Sequence, residues 1–362
     1  MSERLPFELR PPLDPAGRLR LAVATPMPSD ALAVLHAAPH LEVLHDAALL
    51  PTQRYASDHY GDQSFLRTPA QEAAFDAMLA SADAVYGVPG EKPENLARLV
   101  AHENVRWVST TAAGGGSLIG AARLDREVLS AVAFTTSAGV HARPLAEFAL
   151  MGILSGFQRV PALRAEQAAH SWTERGPHAT PLAGSTVLIV GLGSIGLELA
   201  ELLHRLGARV IGTSRRAVEH SSVDLVIHPR ELADYAPQAQ ALVATLPGTE
   251  LTHGLVSAEI MGALPAGATI VNVGRGAVID EDAMTGLLAS RHLGFAALDV
   301  FAVEPLPSKS ALWELDNVLV SPHTATMNPH EDRLIAELLV ENARRLLNGE
   351  SLLNRVDTHE FY

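Results

Sequence analysis

The chain has 362 residues, of which 48% are apolar and 19% charged, and this length and composition predict a folded protein of about two domains. It has no cysteine, which excludes disulfides, thiolate metal sites and cysteine nucleophiles, and we predict no metal site. Its 27 basic and 41 acidic residues give a net charge of −14 without a basic stripe, which argues against a nucleic-acid partner. Met1–Pro12 lacks the apolar run of a secretion signal, and no stretch approaches the roughly 18 apolar residues of a membrane span. We therefore expect a cytoplasmic protein that does not bind membranes.

Short β-branched runs alternate with helical patterns in the first part of the chain. We predict strands at Leu21–Thr25, Leu41–His45, Ala84–Val88, Val105–Thr110 and Val132–Thr136. Helical patterns lie at Ser29–Ala38, Ala70–Ala80 and Pro93–His102. Such alternation predicts a parallel sheet covered by helices. The polar segment Ala47–Thr68 has no period, and a loop of this length is typically a lid, a partner contact or mobile.

A second alternating series follows a long apolar segment. His141–Arg159 is apolar on nearly every side and predicts a buried helix that links two domains. The strands predicted after it are Thr186–Val190, Arg209–Gly212, Leu242–Leu246, Thr269–Val273, Gly294–Val300 and Val318–Ser321. A last helix is predicted with Asn328 as N-cap, Pro329 at its first position and Gly349 after its end. We expect this helix to pack on the first domain.

The first strand of the second series, TVLIV, leads directly into the glycine-rich sequence GLGSIG. In this pattern Gly191 permits the tight turn, Gly193 lets the backbone approach a pyrophosphate, and Gly196 lets the following helix pack close to the strand. An isolated G-x-G-x-x-G is a weak signal, but here a strand precedes it and an amphipathic helix follows. The sequence therefore predicts a dinucleotide site, with Ser194 and Ile195 among its contacts at the helix N-terminus.

The end of the next strand indicates which dinucleotide is bound. The ribose 2′-hydroxyl of NAD would require an Asp or Glu here, and the chain instead has Ser214 followed by Arg215 and Arg216. Guanidinium groups bind phosphate oxygens bidentately, whereas a carboxylate would repel them. We therefore predict NADP in preference to NAD, with solvated surface arginines as the alternative interpretation.

Three polar residues stand at predicted strand ends farther along: Arg275 in VNVGRGAVID, Glu304 in ALDVFAVEPLP and His323 in NVLVSPHTA. Taken singly, each is more often a structural or surface residue, but together they match the chemistry of a 2-oxo acid. A guanidinium can hold the carboxylate and polarise the adjacent carbonyl while a hydride attacks it. An imidazole can then protonate the alkoxide, and a carboxylate beside it stabilises the imidazolium. We predict these roles for Arg275, His323 and Glu304.

Together with GLGSIG, and in this order, the three motifs resemble the NAD(P)-dependent D-2-hydroxyacid dehydrogenase family over Leu182 to about Ala325. The resemblance implies an α/β protein with two doubly wound parallel-sheet domains. One is a Rossmann cofactor domain at residues 141–324, inserted in a flavodoxin-like substrate domain made of residues 1–140 and 325–362. The resemblance also implies a homodimer formed through the cofactor domain.

The same resemblance implies roles for residues that the chemistry alone does not identify. Asp299 in ALDVF would meet the nicotinamide end of the cofactor, and Val273 would lie in the cofactor site. Val88 and Gly90, in the turn GVPG, would bind the substrate carboxylate through backbone N–H groups, together with Arg275. Many relatives carry a polar pair after the fourth strand, where this chain reads AGGGS, so the substrate's side chain is left open.

Three functions stay open on the sequence. The favoured one is reduction of a 2-oxo acid, such as glyoxylate or hydroxypyruvate, to a D-2-hydroxy acid with NADPH. An NAD-linked enzyme of the phosphoglycerate dehydrogenase type is the alternative on the same fold, although the first domain shows no additional phosphate-binding Arg cluster. A cofactor-sensing corepressor or scaffold is the alternative from another class, and no linear interaction tail favours it.

Overall fold

The computed structural model describes residues 17–174, 178–359 and 361. These residues form two compact units: the second is Ala142–Thr326, and the first contains the described residues before and after it. The prediction about Met1–Pro12 falls outside the described residues. In the described part of both units the strands of each sheet pair in parallel, which confirms the predicted α/β class.

The sheet of the first unit has five strands: β1 (Leu19–Val23), β2 (Leu41–Leu44), β3 (Ala84–Tyr86), β4 (Trp107–Ser109) and β5 (Ala133–Thr135). Their order is β2-β1-β3-β4-β5, which is the flavodoxin-like arrangement. Side chains on both faces are fully buried, with Leu21 and Tyr86 on one face and Val85 and Val108 on the other, as expected of parallel strands covered by helices. The order reverses between β1 and β3, so the loops at the carboxyl ends of these strands diverge and leave room for a ligand.

The helices between these strands are α1 (Ser29–Ala37), α2 (Pro69–Ala80), α3 (Pro93–Val100), α4 (Gly116–Ala121) and α5 (Arg126–Ala131). The start of α2 is fixed by a reciprocal cap. The Thr68 hydroxyl accepts a hydrogen bond from the Gln71 N–H, and the Gln71 side chain accepts one from the Thr68 N–H. This cap ends the irregular segment that precedes α2.

The segment Ala47–Thr68 contains one 3-10 turn, Ala47–Leu49, and otherwise turns and bends, as its lack of period predicts. The carboxylate of Asp58 lies at its centre and accepts hydrogen bonds from the backbone and guanidinium of Arg54 and from the Gly61 N–H. The hydrogen bond from Arg54 lowers the pKa of Asp58 below its ordinary value, so the carboxylate stays ionised. The segment is thus held in shape by its own hydrogen bonds.

The sheet of the second unit has seven strands: β6 (Thr186–Val190), β7 (Arg209–Thr213), β8 (Leu225–Ile227), β9 (Ala241–Ala244), β10 (Ala268–Asn272), β11 (Leu293–Leu298) and β12 (Val318–Val320). Their order is β12-β11-β10-β9-β6-β7-β8, which is the Rossmann order with one further strand at the β12 edge. The sequence prediction missed β8, because this edge strand has only three residues and too short a pattern to recognise.

The helices of the second unit are α6 (Ala142–Phe157), α7 (Val160–Ala168), α8 (Ser194–Arg205), α9 (Leu232–Tyr235), α10 (Ala258–Ala263) and α11 (Glu281–Ala289). Helix α6 packs closely on the sheet, since a Cβ added at Gly152 or Gly156 would collide with side chains of β10 and β11. The prediction that this helix is buried on nearly every side was wrong. Arg143, Glu147 and Met151 are exposed and, at a spacing of four residues, form one stripe along it.

The last helix, α12 (Glu331–Asn348), returns to the first unit and packs on α1, as predicted. Gly349 ends it in the left-handed conformation, with φ of 68°. The predicted start at Asn328 and Pro329 was wrong, because the Asn328 side chain accepts from the His330 N–H and closes a turn ahead of the helix. None of the helices described is long and apolar enough to cross a membrane.

Candidate active site

Arg275 lies in the loop after β10, and a buried asparagine sets the course of this loop. The Asn272 side chain accepts a hydrogen bond from the Gly274 N–H and donates one to the Arg275 carbonyl, each at 3.1 Å. A Cβ added at Gly276 would collide with the backbone of Phe301, so this loop rests directly on the loop after β11. Arg275 itself is exposed, and its guanidinium donates to the Gly274 carbonyl at 2.8 Å. The backbone is therefore fixed while the charged end of the side chain is accessible.

Glu304 and His323 come from the loops after β11 and β12, and the structure places them in contact. His323 Nδ1 lies 2.7 Å from Glu304 Oε2. The other carboxylate oxygen of Glu304 accepts from the Phe301 N–H at 2.9 Å, which orients the group. Because an ionised carboxylate only accepts hydrogen bonds, Nδ1 carries a proton, and Nε2 is the nitrogen at which the imidazole gains or loses one.

The charge state of Glu304 follows from its surroundings. Burial raises the pKa of Glu304. The hydrogen bonds from His323 and the Phe301 N–H lower it, as do the charges of His323 and Arg275. The lowering effects are larger together, so the pKa falls below its ordinary value. Glu304 is thus ionised at neutral pH. The charge of Arg275 also acts on Glu304 and helps to keep this carboxylate ionised.

Asp299, at the end of β11, is 1% exposed and holds the loop that carries His323. Its Oδ1 accepts from the Ser321 hydroxyl at 2.5 Å, the Thr324 N–H at 2.9 Å and the Ala325 N–H at 3.1 Å. His323 has a left-handed backbone with φ of 57°, which is unfavourable for a residue with a Cβ. The three hydrogen bonds to Asp299 stabilise this conformation and so fix the direction of the imidazole.

Sequence reasoning identified Arg275, Glu304 and His323 but missed residues that hold their loops. Asn272, described above, is one of them. Another is Glu281 at the start of α11, whose carboxylate accepts from the Ala302 N–H at 2.9 Å. Asn272 could have been noticed as an amide at the end of an apolar strand, whereas nothing in the sequence around Glu281 distinguishes it from a helix N-terminal acid.

The glycine turn after β6 fits a pyrophosphate. A Cβ at Gly196 would collide with the Gly191 carbonyl, so α8 approaches β6 as closely as a glycine allows, whereas a Cβ at Gly193 would meet nothing within 4 Å. Helix α8 has Gly193 at its N-cap and no capping side chain. The N–H groups of Ser194 and Ile195 in its first turn therefore face an open, electropositive helix end that can accept phosphate.

At the end of β7, Ser214 is half-buried, and Arg215 and Arg216 are exposed. The Ser214 hydroxyl accepts a hydrogen bond from the Arg216 N–H at 3.1 Å, which turns the chain at this point. Val273, at the end of β10, is buried, and its N–H donates to the Ala244 carbonyl. The dinucleotide candidates thus lie at the carboxyl ends of β6, β7 and β10, the edge at which such sheets bind ligands.

In the first unit, the turn after β3 contains Val88 and Gly90. Val88 is buried and Gly90 is exposed, with φ of 61° that favours glycine. The Val88 carbonyl accepts from the Glu91 N–H at 2.8 Å and closes the turn. Both residues lie at the carboxyl edge of the five-stranded sheet, beside the β1–β3 reversal.

Comparison with known families gives one match that covers the second unit. The model of the D-isomer specific 2-hydroxyacid dehydrogenase NAD binding domain matches residues 150–325. This range includes the glycine turn after β6 and the loops that carry Arg275, Glu304 and His323.

Individual relatives extend the likeness to the rest of the chain. Glyoxylate/hydroxypyruvate reductase B of Yersinia pestis is 30% identical over 289 residues, or 78% of this chain and 86% of the reductase. D-3-phosphoglycerate dehydrogenase of Mycobacterium tuberculosis is 32% identical over 212 residues, which are 59% of this chain and 40% of that enzyme. The crystal structure of a D-isomer specific 2-hydroxyacid dehydrogenase from Xanthobacter autotrophicus Py2, in complex with NADPH and MES, is 30% identical with a TM-score of 0.74. The structural alignment covers 95% of this chain and 100% of the Xanthobacter chain.

Proposed function

Because the chain belongs to the D-isomer specific 2-hydroxyacid dehydrogenase family and is an NAD(P)-dependent oxidoreductase, we propose that it reduces a 2-oxo acid to a D-2-hydroxy acid with NADPH. The observation that carries the proposal is the contact between His323 Nδ1 and Glu304 Oε2 beside the charge of Arg275. This arrangement supplies a proton donor, its charged partner and a carboxylate-binding cation. A small 2-oxo acid needs all three.

Each group of the chain has a defined task in the proposed reaction. When bound, NADPH supplies the hydride that reduces the carbonyl carbon. Arg275 binds the substrate carboxylate and draws electrons toward the carbonyl oxygen. His323 donates the proton on Nε2 to that oxygen, and the ionised Glu304 stabilises the imidazolium before the transfer. The N–H groups of Val88 and Gly90 bind the carboxylate as well.

The residues at the glycine turn fit the cofactor. Gly191, Gly193 and Gly196 leave room for the pyrophosphate, and the first turn of α8 offers N–H donors to it. We propose that Asp299 and Val273 lie at the nicotinamide end of the bound cofactor. We propose NADPH as the preferred cofactor and NADH as a weaker one, supported by Ser214, Arg215 and Arg216 at the end of β7 and by the NADPH complex of the Xanthobacter relative.

The proposal is tested by steady-state reduction of glyoxylate, hydroxypyruvate and bulkier 2-oxo acids with each cofactor. We expect turnover with at least one of them and a higher kcat/KM for NADPH than for NADH. Absence of turnover with every 2-oxo acid would contradict the proposed reaction and favour a corepressor or scaffold. Higher kcat/KM for NADH would contradict only the cofactor preference and favour an NAD-linked enzyme of the phosphoglycerate dehydrogenase type.

A separate variant tests the cofactor preference. Ser214→Asp combined with Arg215→Ala places a carboxylate where a 2′-phosphate would lie and removes one guanidinium, so selectivity should reverse toward NADH. Loss of one arginine–phosphate contact should cost roughly 1.5–3 kcal/mol. Arg205→Ala, at the exposed end of α8, removes the same charge elsewhere in the unit and should leave selectivity unchanged.

We further propose that the enzyme is a homodimer formed through the second unit and acts in the cytoplasm. Apolar side chains around α6 and α7 support the dimer: Met151, Leu163 and Trp172 are 40%, 52% and 92% exposed. We propose that these side chains belong to one apolar patch, which a second copy of the chain would cover. Light scattering should give twice the mass of the chain, and Leu163→Ser with Trp172→Ser should give a monomer.

A further inference from the structure

A carboxylate follows directly after the turn that we propose binds the substrate. Glu91 is half-buried, comes next after Gly90 and has a left-handed backbone with φ of 47°. Its side chain accepts hydrogen bonds from two hydroxyls, that of Tyr60 at 3.1 Å and that of Thr111. Tyr60 belongs to the segment Ala47–Thr68 and Thr111 to the loop after β4, so three separate parts of the first unit meet at this carboxylate.

The two hydroxyls fix Glu91 without neutralising it. Burial, followed by the charge of Glu91 and the hydrogen bond to it, raises the pKa of Tyr60 to about 12, so Tyr60 remains a neutral donor at physiological pH. A carboxylate offers about four acceptor positions, and Tyr60 and Thr111 use two of them. Glu91 therefore keeps the capacity to accept a hydrogen bond from a ligand.

Glu91 is one of three carboxylates whose charges act on the end of the strand that precedes the turn. The pKa of the fully buried Tyr86, at the end of β3, is raised by burial and then by the charges of Asp332, Glu331 and Glu91. The charges of these three carboxylates therefore all act on the Tyr86 hydroxyl at this edge of the sheet. His59 and His141 contact Glu331, and the exposed Lys92 follows Glu91 in the chain.

We infer that Glu91 selects the substrate: it rejects a 2-oxo acid that carries a second anionic group and favours one whose substituent at C3 donates a hydrogen bond. The inference rests on the proposed function, because it requires the turn at Val88 and Gly90 to hold the substrate carboxylate. A phosphate or second carboxylate beside Glu91 would be repelled in a partly desolvated place, whereas a hydroxyl would be bound. The enzyme is then specific for small monoanionic acids such as hydroxypyruvate.

The test uses two substrates that differ only in a phosphate, hydroxypyruvate and 3-phosphohydroxypyruvate, with NADPH as reductant. For the unaltered enzyme we expect kcat/KM to favour hydroxypyruvate by at least a hundredfold. Glu91→Gln keeps the shape and one acceptor oxygen, and the second hydroxyl can accept from the new NH2 group, but the charge is removed. The variant should reduce this preference at least tenfold, mainly through a lower KM for the phosphorylated substrate. Glu94→Gln, which removes an exposed charge three residues away, is the matched control and should leave the preference unchanged.

A second variant changes the preference in the opposite direction. Tyr60→Phe removes one donor from Glu91 while it keeps the aromatic ring, so the carboxylate becomes less shielded and KM for 3-phosphohydroxypyruvate should rise. The inference is overturned if the preference is the same in Glu91→Gln as in the unaltered enzyme. It is also overturned if both substrates lose activity equally, as a merely structural role would predict, or if Glu94→Gln has the same effect. Failure of the unaltered enzyme to reduce any 2-oxo acid would instead contradict the proposed function.

Discussion

Each unit of this protein contains a carboxylate paired with histidine, and the two sites differ in burial. In the second unit, His323 and Glu304 have side chains 44% and 35% exposed. In the first unit, Glu331 Oε1 lies 2.9 Å from His141 Nε2 and 3.1 Å from His59 Nε2, and all three side chains are at most 12% exposed. The accessible pair leaves Nε2 of its imidazole for a ligand, whereas the buried carboxylate occupies Nε2 of both histidines. The same chemical groups can thus serve proton transfer in one unit and cohesion in the other.

The buried site joins three distant parts of the first unit. His59 comes from the segment Ala47–Thr68, His141 from the chain just before α6, and Glu331 from the start of α12. Burial raises the pKa of Glu331, but hydrogen bonds from His141 and His59 and their charges outweigh it and lower the pKa to about 2. Glu331 is therefore an ionised acceptor that fixes both imidazoles. The accessible Glu304 has a lowered pKa for similar reasons.

The largest difference between the two sites is expected on replacement of a histidine. His323→Gln removes the proton donor and should lower kcat about a thousandfold, within the usual range for a general acid, without lowering the midpoint of urea unfolding. His141→Gln, the matched change in the buried site, should lower that midpoint and leave kcat of the folded enzyme unchanged. Retention of more than a tenth of the turnover by His323→Gln would show that the accessible pair is not the proton donor.

The second prediction concerns the stability that Glu331 provides. Its pKa lies near 2 in the folded protein against 4.5 ordinarily, so its contribution is present above pH 4.5 and is lost as pH falls toward 2. We expect Glu331→Gln to lower the free energy of unfolding by ~3 kcal/mol at pH 7 and by about 2 kcal/mol at pH 3.5. Urea denaturation at both pH values measures this difference. A loss that does not depend on pH would mean that shape, and not charge, makes the buried site stabilising.

The third prediction concerns Glu304 in the accessible pair. Glu304→Gln keeps an acceptor for His323 Nδ1 but removes the charge that stabilises the imidazolium, so the proton on Nε2 should be lost at lower pH. The descending limb of the pH–rate profile for reduction should move to lower pH, and turnover at neutral pH should fall roughly tenfold. Glu314→Gln, an exposed carboxylate of the same unit, provides the control. An unchanged profile in Glu304→Gln would remove Glu304 from the mechanism.

The smallest expected effect on the free energy of unfolding is at Asp332, next to Glu331, and it has the opposite sign. Burial raises the pKa of Asp332, and its only hydrogen bonds among the described residues are long ones, from Ser57 N–H at 3.3 Å and Gln53 at 3.4 Å. A raised pKa means that ionised Asp332 disfavours folding as pH rises through that pKa. Asp332→Asn should therefore slightly raise the free energy of unfolding at pH 7. A loss as large as that of Glu331→Gln would show that the two carboxylates act as one unit.

Much of the accessible site could be predicted because its residues stand in short local motifs. The glycine turn after β6 depends on backbone conformations that a few successive residues determine, and Arg275, Glu304 and His323 each lie within six residues of the end of an apolar strand. In a parallel sheet the ends of neighbouring strands come together, so three motifs far apart in sequence predict one site. The supporting role of Asp299 for the His323 loop was not predictable in the same way, since it depends on three hydrogen bonds from residues 22 to 26 positions later.

The buried site of the first unit had no such signal. Glu331 is separated from His59 by 272 residues and from His141 by 190, and each of the three looks like an ordinary surface or loop residue in the sequence. The start of α12 shows the same limit, because Asn328 and Pro329 form a good helix start by local preference, whereas the structure begins the helix at Glu331.

The sequence by itself determined the alternation of strands and helices, the dinucleotide turn and the three residues at the strand ends, because each depends on neighbours along the chain. Only the tertiary structure decided that Ala47–Thr68 joins α12 through His59, and that Tyr60 contacts Glu91 beside the proposed substrate turn. Packing brings these groups together, and burial then strengthens the electrostatic effect of each on the others. No local pattern encodes that combination, since the free energy that creates it comes from the folding of the whole unit.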